Sequence, residues 1–319
     1  MSLLAPSLPC SGEVSGSHFI AEKGLLISPI LITNTISVGS VHEATVKWSI
    51  SESRRDAVNL PVVAETWDGA LNDIYGFHVQ QEHVFEALEG ATSGPVAEGN
   101  VGGGTGMICH GFKGGIGTSS RVVQAGRESY TIGVLVQANH GQRGDLMIAG
   151  IPIGSELPAP RRRAREGVDA PLARDLPAQN GGDQGAGSVI VVVATDAPML
   201  PSQLQRILRR VPMGIARVGS SSSSYSGDIF IGFSTTAPNE SAGRGAVPTT
   251  SFVSDRHISS MFRATVQATE EAIVNALIAA ETMVGRNGHR VEELPEDSVV
   301  DLLRRHDRLE VSDGEEDGK

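Results

Sequence analysis

Apolar residues along the chain follow two rhythms. The first is a set of short β-rich runs: "PILITNT" (29–35), "PVVAETW" (61–67), "YTIGVLVQAN" (130–139), "LMIAGIPIG" (146–154), "SVIVVVATD" (188–196) and "DIFIGFSTT" (228–236). Several are apolar at successive positions instead of alternating, which predicts strands covered on both faces. The second rhythm has helical spacing. From 261 to 284 apolar side chains recur at Phe262, Val266, Ile273, Leu277, Ala280 and Val284, the stripe of a long helix with Gly285 as its C-cap. Another helix is predicted over 202–218, with Leu204, Ile207, Leu208, Val211 and Ile215 inward, Pro201 just before it and a kink at Pro212. Weaker helical patterns occupy 41–52 and 79–90. Helices over doubly covered sheets predict a layered α/β or α+β architecture.

Two stretches interrupt this pattern. Residues 94–120 are glycine-rich, but they contain no G-x-x-x-x-G-K-[ST] and no G-x-G-x-x-G between a strand and a helix. They therefore read as tight turns and close backbone approach instead of a phosphate cradle. Residues 156–187 mix proline, arginine, glycine and scattered acids without periodicity, as a flexible linker does. The last residues, 310–319, form an acidic tail.

Composition narrows the function classes. With 319 residues and 39% hydrophobic content the chain can bury a substantial core. Its formal net charge of −11 argues against nucleic acid as a partner, and the basic run "RRRAR" (161–165) reads as solvated linker. The two cysteines, Cys10 and Cys109, have no spacing that suggests a metal or disulfide framework. "HEATV" (42–46) begins like a zinc helix, but Val46 stands where a second histidine would be needed. No G-x-S-x-G elbow occurs. With no basic leader before an apolar run, and no stretch near the ~18 apolar residues of a membrane span, the expectation is a soluble cytoplasmic protein without a membrane partner.

The most informative seam is "GDQGAGSVIVVV" (182–193), where linker composition turns abruptly into a core strand at Ser188. A serine opening a core strand, preceded by glycine and a flexible segment, is placed for self-cleavage. Its hydroxyl can attack the Gly187 carbonyl to give an ester that water hydrolyses. The freed α-amine, with an ordinary pKa of roughly 7.7–8.0, can then act as base toward its own hydroxyl. A second hydroxyl-rich stretch, "GSSSSSYSGD" (219–228), ends in Ser226-Gly227-Asp228 directly before a strand. Taken alone, each serine also reads as an ordinary strand-entry or turn residue.

Together with "GNVGGGTGMICHGFKGGIGTSSRVV", "VQANHGQRGD", "VVAETWDGALNDIYGFHV" and "ATEEAIVNALIAAETMVGRNGHRV", these stretches resemble the self-processing aminopeptidases of the DmpA type (L-aminopeptidase/D-amidase/esterase), which include the β-peptidyl aminopeptidases. The resemblance runs from about Gly12 to Gly154 and from Gly187 to Leu309. It implies an α+β, four-layer αββα sandwich like that of the N-terminal-nucleophile hydrolases. It also implies cleavage between Gly187 and Ser188 into two chains that stay associated in one composite domain. Residues 1–187 would form the first chain and 188–309 the second, ahead of the tail, and the pairs would assemble as a homo-oligomer. Ser188 matches the family nucleophile, Ser226 and Asp228 the serine and acidic residue of its active-site network, and Asn139 an oxyanion donor. Trp67 falls at a tyrosine position near the oxyanion, where an indole N–H can donate but not accept. Family members usually carry further strands before "GSHFIAEKGLL", and if those strands are absent here a sheet edge is exposed.

The resulting expectation is a self-cleaving serine aminopeptidase or amidase, without cofactor or metal, acting on small peptides, amino-acid amides or esters. Asp228 is expected to hold the substrate ammonium, or alternatively to orient the nucleophile. A truncated inactive homologue with a structural role, and an acyltransferase resembling the ornithine acetyltransferases, are the competing readings.

Overall fold

The computed structural model describes residues 2–4, 12–51, 60–158, 187–223, 226–236 and 250–309. The 159–186 part of the expected linker and the tail 310–319 lie outside the described residues, as do Cys10 and the basic run. In chain order the first elements are β1 (Ser2–Leu4), α1 (Ser17–Lys23), β2 (Ile30–Asn34), α2 (Val38–Ser51), β3 (Val62–Thr66) and α3 (Gln81–Glu89). There follow β4 (Ile108–Cys109), β5 (Phe112–Lys113), β6 (Gly115–Ala125), β7 (Glu128–Asn139) and α4 (Ile153–Glu156). The rest are β8 (Ser188–Thr195), α5 (Pro201–Leu208), α6 (Val211–Arg217), β9 (Gly227–Ser234), α7 (Ile258–Ile278), β10 (Met283–Val284), β11 (Arg290–Val291) and α8 (Glu296–Arg305).

These elements stack in four layers, αββα. The larger sheet has the order β1-β9-β8-β7-β6, parallel between β8 and β9 and antiparallel elsewhere. One face carries α5, α6 and α7. There Val189, Val191, Val193 and Phe230 join Leu204, Ile207, Ile215, Met261 and Ile273 in the main core. The opposite face packs on the parallel pair β2–β3, with Ile190, Ile229 and Ile231 against Val62 and Ala64. Outside that pair lie α2 and α3, meeting β3 through Val41, Ala44, Val63 and Val84. The central strands β8 and β9 are therefore apolar on both faces, which is why their sequences run without alternation.

Four local expectations are corrected. The run 146–154 is not a strand. Ala149 and Gly150 have φ of 52° and 79°, so the chain reverses between bridged Ile148 and Ile151 before entering α4. The 202–218 segment is two helices; Pro212 lies in the first turn of α6, where a missing N–H costs nothing, instead of kinking one helix. The long helix stops at Ile278, and Met283–Val284 pairs as a strand with Arg290–Val291, so Gly285 does not cap it. Its inward stripe is Met261, Ala264, Thr265, Ala268, Ala272, Ile273, Ala276 and Leu277, with Phe262 and Val266 only half buried. Finally, the glycine-rich stretch contains most of β6. A Cβ on Gly117 would lie 2.0 Å from the Ala272 carbonyl, so the glycine lets α7 lie directly on the strand.

Candidate active site

The sheet register brings three strand ends to one point. Ser188, first in β8, is the antiparallel partner of Asn139, last in β7, and the parallel partner of Gly227, first in β9. Register partners in a sheet project to the same face, and along β8 that face also holds Ile190, which packs between the sheets. The Ser188 side chain, 6% exposed, therefore points into the space between the two sheets. Gly187 enters the ladder ahead of it, its carbonyl accepting the Gly227 N–H at 2.9 Å. No side chain fits at position 187, because a Cβ would lie 2.7 Å from the Asn139 carbonyl oxygen and 2.9 Å from the His140 Cα.

Asn139 is held at both ends of its amide. Oδ1 accepts the Ile108 N–H at 2.8 Å and Nδ2 donates to the Trp67 carbonyl at 2.9 Å. That leaves the second Nδ2 hydrogen for another acceptor. Trp67 thus joins the site through its backbone, anchoring Asn139, and its half-buried indole packs over Gly69. Two residues earlier on the same face of β7, Gln137 donates to Thr66 Oγ1 at 2.6 Å and so ties the two sheets together.

The Ser226-Gly227-Asp228 triplet behaves as its spacing requires. Ser226 and Asp228 share a face, and the Ser226 hydroxyl donates to Asp228 Oδ1 at 2.5 Å. The other carboxylate oxygen accepts the Ser222 hydroxyl at 2.5 Å, a partner the sequence did not single out. Ser222 sits at φ 51°, a left-handed conformation that this hydrogen bond helps to hold. Asp228 is 1% exposed and Ser226 3%. Because Gly227 shares the face of Ser188, this pair projects from the opposite face of β9. Among the described residues no hydrogen bond links the Ser188 hydroxyl to Ser226, Asp228 or Asn139.

Glu65 was not anticipated. It is a buried carboxylate near the end of β3, accepting the Glu13 N–H at 2.9 Å and the Thr35 hydroxyl. Among the described residues no cationic side chain pairs with it. A Cβ on Gly12 would lie 3.4 Å from Glu65 Oε1 and 3.2 Å from the Gly227 Cα, so the carboxylate reaches toward the start of β9. The signal in the sequence was faint: one acid inside the apolar run "PVVAETW". Lys113 is likewise buried, donating to the Gly104 and Gly114 carbonyls at 3.1 and 2.7 Å, and burial pushes its pKa down to about 8.

Residues 7–291 match Peptidase family S58. "Beta-peptidyl aminopeptidase BapA" of Sphingosinicella microcystinivorans is 47% identical over 299 residues, 94% of this chain and 74% of the relative. Among solved structures, the L-aminopeptidase D-Ala-esterase/amidase of Ochrobactrum anthropi, described as a variant of the Ntn hydrolase fold, superposes with a TM-score of 0.82 at 42% identity, covering 97% of this chain and 82% of that one. A β-aminopeptidase of Burkholderia sp. superposes with a TM-score of 0.78 at 43% identity, over 95% of this chain and 81% of the other.

Proposed function

The chain belongs to peptidase family S58, and from that membership we propose that it cuts its own Gly187–Ser188 peptide and then releases the residue at the free N-terminus of small peptides, amino-acid amides or esters. It is a hydrolase of the aminopeptidase and amidase class. The named activities of its relatives, on β-peptidyl and on L-amino-acid substrates, support a short substrate read from its amino end.

In maturation the Ser188 oxygen attacks the Gly187 carbonyl carbon and its proton passes to the departing Ser188 nitrogen. The C–N bond breaks, leaving an ester between residues 187 and 188. Water then cleaves the ester, yielding the Gly187 carboxylate, the Ser188 hydroxyl and a free α-amine. The observation that carries this reading is the 2.9 Å hydrogen bond from the Gly227 N–H to the Gly187 carbonyl. A donor on that oxygen stabilises the negative charge it acquires during attack.

In turnover the Ser188 α-amine serves as base for its own hydroxyl. The remaining Nδ2 hydrogen of Asn139 faces the oxyanion, and Asp228 with its two serines orients the amine. This assignment departs from the substrate-ammonium role favoured by sequence. Both Asp228 oxygens already accept hydroxyls, and Asp228 projects from the face of β9 opposite the Ser188 side chain. Glu65, whose carboxylate reaches toward the start of β9 and has no cationic partner among the described residues, is the carboxylate we assign to the substrate ammonium. We further assign the enzyme to the cytoplasm as a homo-oligomer of cleaved pairs, with no nucleic-acid or membrane partner. No helix among the described residues is long and apolar enough to cross a membrane.

Intact-mass measurement with N-terminal sequencing tests the proposal. Fragments 1–187 and 188–319, with a new terminus Ser-Val, are the expected result. A single full-length chain that still hydrolyses substrate, or a terminus within 160–180, contradicts it.

A further inference from the structure

Three side chains that this chemistry does not use come together behind the scissile peptide. Cys109 and His110 lie at the tight turn between β4 and β5, and His140 follows Asn139 at the end of β7. All three are buried, and their ligand atoms, one sulfur and one nitrogen from each ring, lie within 4.8 Å of one another. The turn is built to present them. His110 and Gly111 have φ of 49° and 71°, the mirror-image geometry of a two-residue hairpin, where asparagine and glycine are the usual choices. A histidine occupies the strained position, and its backbone N–H donates to the His140 carbonyl at 2.7 Å. Gly141, at φ 83°, lies against the His110 ring, where a Cβ would come within 2.3 Å of the imidazole.

The donor atoms are left bare. His110 Nδ1 lies 2.9 Å from the Gln142 carbonyl and so carries the hydrogen, leaving a lone pair on Nε2. That is the arrangement by which a backbone carbonyl orients a metal-binding histidine. Nε2 of His110 and both ring nitrogens of His140 are buried without a hydrogen-bond partner among the described residues. Buried polar atoms with no partner are rare in folded proteins and call for a water or an ion.

We propose that Cys109, His110 and His140 form an enclosed three-ligand site for a divalent transition-metal ion of the zinc class, next to the processing site but outside its chemistry. One thiolate and two imidazoles form a donor set that suits zinc or cobalt and disfavours magnesium or calcium. Tetrahedral zinc would draw the three atoms to about 3.3–3.6 Å apart, a modest closure from the present cluster. Binding forms the metal–sulfur bond and two metal–nitrogen bonds, and the thiol proton leaves to solvent. Because a Cβ on Gly187 would lie 2.9 Å from the His140 Cα, a bound ion would stiffen the turn on which the scissile peptide rests.

Cobalt(II) added to the chelator-treated full-length protein is the probe. The expected result is one cobalt per chain, with a thiolate-to-cobalt charge-transfer band and intense visible ligand-field bands. Both should be lost in Cys109→Ser and in His110→Asn, the latter keeping a residue that suits the left-handed turn. A wild type that takes up no cobalt, consistent with an ordered water in the cluster, overturns the proposal. So does uptake with no thiolate band, or uptake that both variants retain. If the variants do not fold, cadmium-113 NMR of the wild type decides: a resonance at a one-sulfur, two-nitrogen shift supports the site, and an all-oxygen shift or no resonance refutes it.

Discussion

The Gly227 N–H donates to the Gly187 carbonyl at 2.9 Å, so the peptide proposed as the cleavage site is already a rung of the β8–β9 ladder. The flanking geometry leaves no room for a side chain, since a Cβ at position 187 would meet the Asn139 carbonyl oxygen at 2.7 Å. Gly187→Ala should therefore push the peptide off its donor and slow self-cleavage by at least the roughly 100-fold typical of a lost oxyanion interaction. A time course on denaturing gels checks this. Cleavage at the wild-type rate would mean that the ladder bond does not position the reacting carbonyl.

Ser188 and Asn139 should separate in their effects. Ser188→Ala removes the attacking hydroxyl and should leave a folded, uncut and inactive chain. Asn139→Asp keeps an acceptor for the Ile108 N–H but loses the donor to the Trp67 carbonyl and the hydrogen assigned to the oxyanion. It should lower kcat roughly 100–1,000-fold. Stopped-flow or steady-state assays on an amino-acid amide, with circular dichroism to confirm the fold, measure both.

The layers were legible because doubly buried strands such as β8 cannot alternate, and their unbroken apolar runs identify them. What failed was local. The run at 146–154 is as apolar as a strand, yet Ala149 and Gly150 reverse it, and β6 was hidden because glycines at 115 and 117 serve contacts that only the folded neighbours reveal. The pairing of Ser226 with Asp228 followed from a spacing of two, whereas Ser222 joins only because its turn folds back. The Cys109, His110 and His140 cluster has no motif spacing at all. A hairpin and a strand end distant in sequence supply its side chains.

Lys113 predicts a pH-dependent stability. Its pKa falls from 10.5 in the unfolded chain to about 8 in the fold, because burial disfavours the ammonium. Between those values the unfolded chain binds more protons, so stability should rise as pH increases from about 8 to 10.5, and the full penalty is present below 8. The size of that rise is about 3 kcal/mol at most. Lys113→Met should flatten this part of the profile, although it gives up the bonds to Gly104 and Gly114 and lowers the midpoint overall. Thermal unfolding across this pH range, wild type against variant, reads the difference in slope. Parallel profiles would show that Lys113 is not what titrates.

Asp228 offers the sharpest distinction between orienting the nucleophile and binding the substrate. Its two oxygens accept Ser226 and Ser222, each at 2.5 Å, and it lies on the face opposite the Ser188 side chain. If this carboxylate orients the Ser188 nitrogen as proposed, it matters for both reactions. Asp228→Asn replaces one acceptor with a donor and should disturb one of the two hydroxyls. Self-cleavage and kcat should then fall together while KM changes little. Glu65→Gln should behave in the opposite way. If Glu65, which has no cationic partner among the described residues, holds the substrate ammonium as proposed, the substitution should raise KM on free-amine substrates and leave self-cleavage intact, since the precursor presents no free amine there. N-acetylated substrates should be poor for the wild type and should lose the discrimination in Glu65→Gln. If Asp228→Asn instead raised KM and spared cleavage, the substrate ammonium would belong to Asp228, and Glu65 would be a structural carboxylate holding Thr35 and the Glu13 amide.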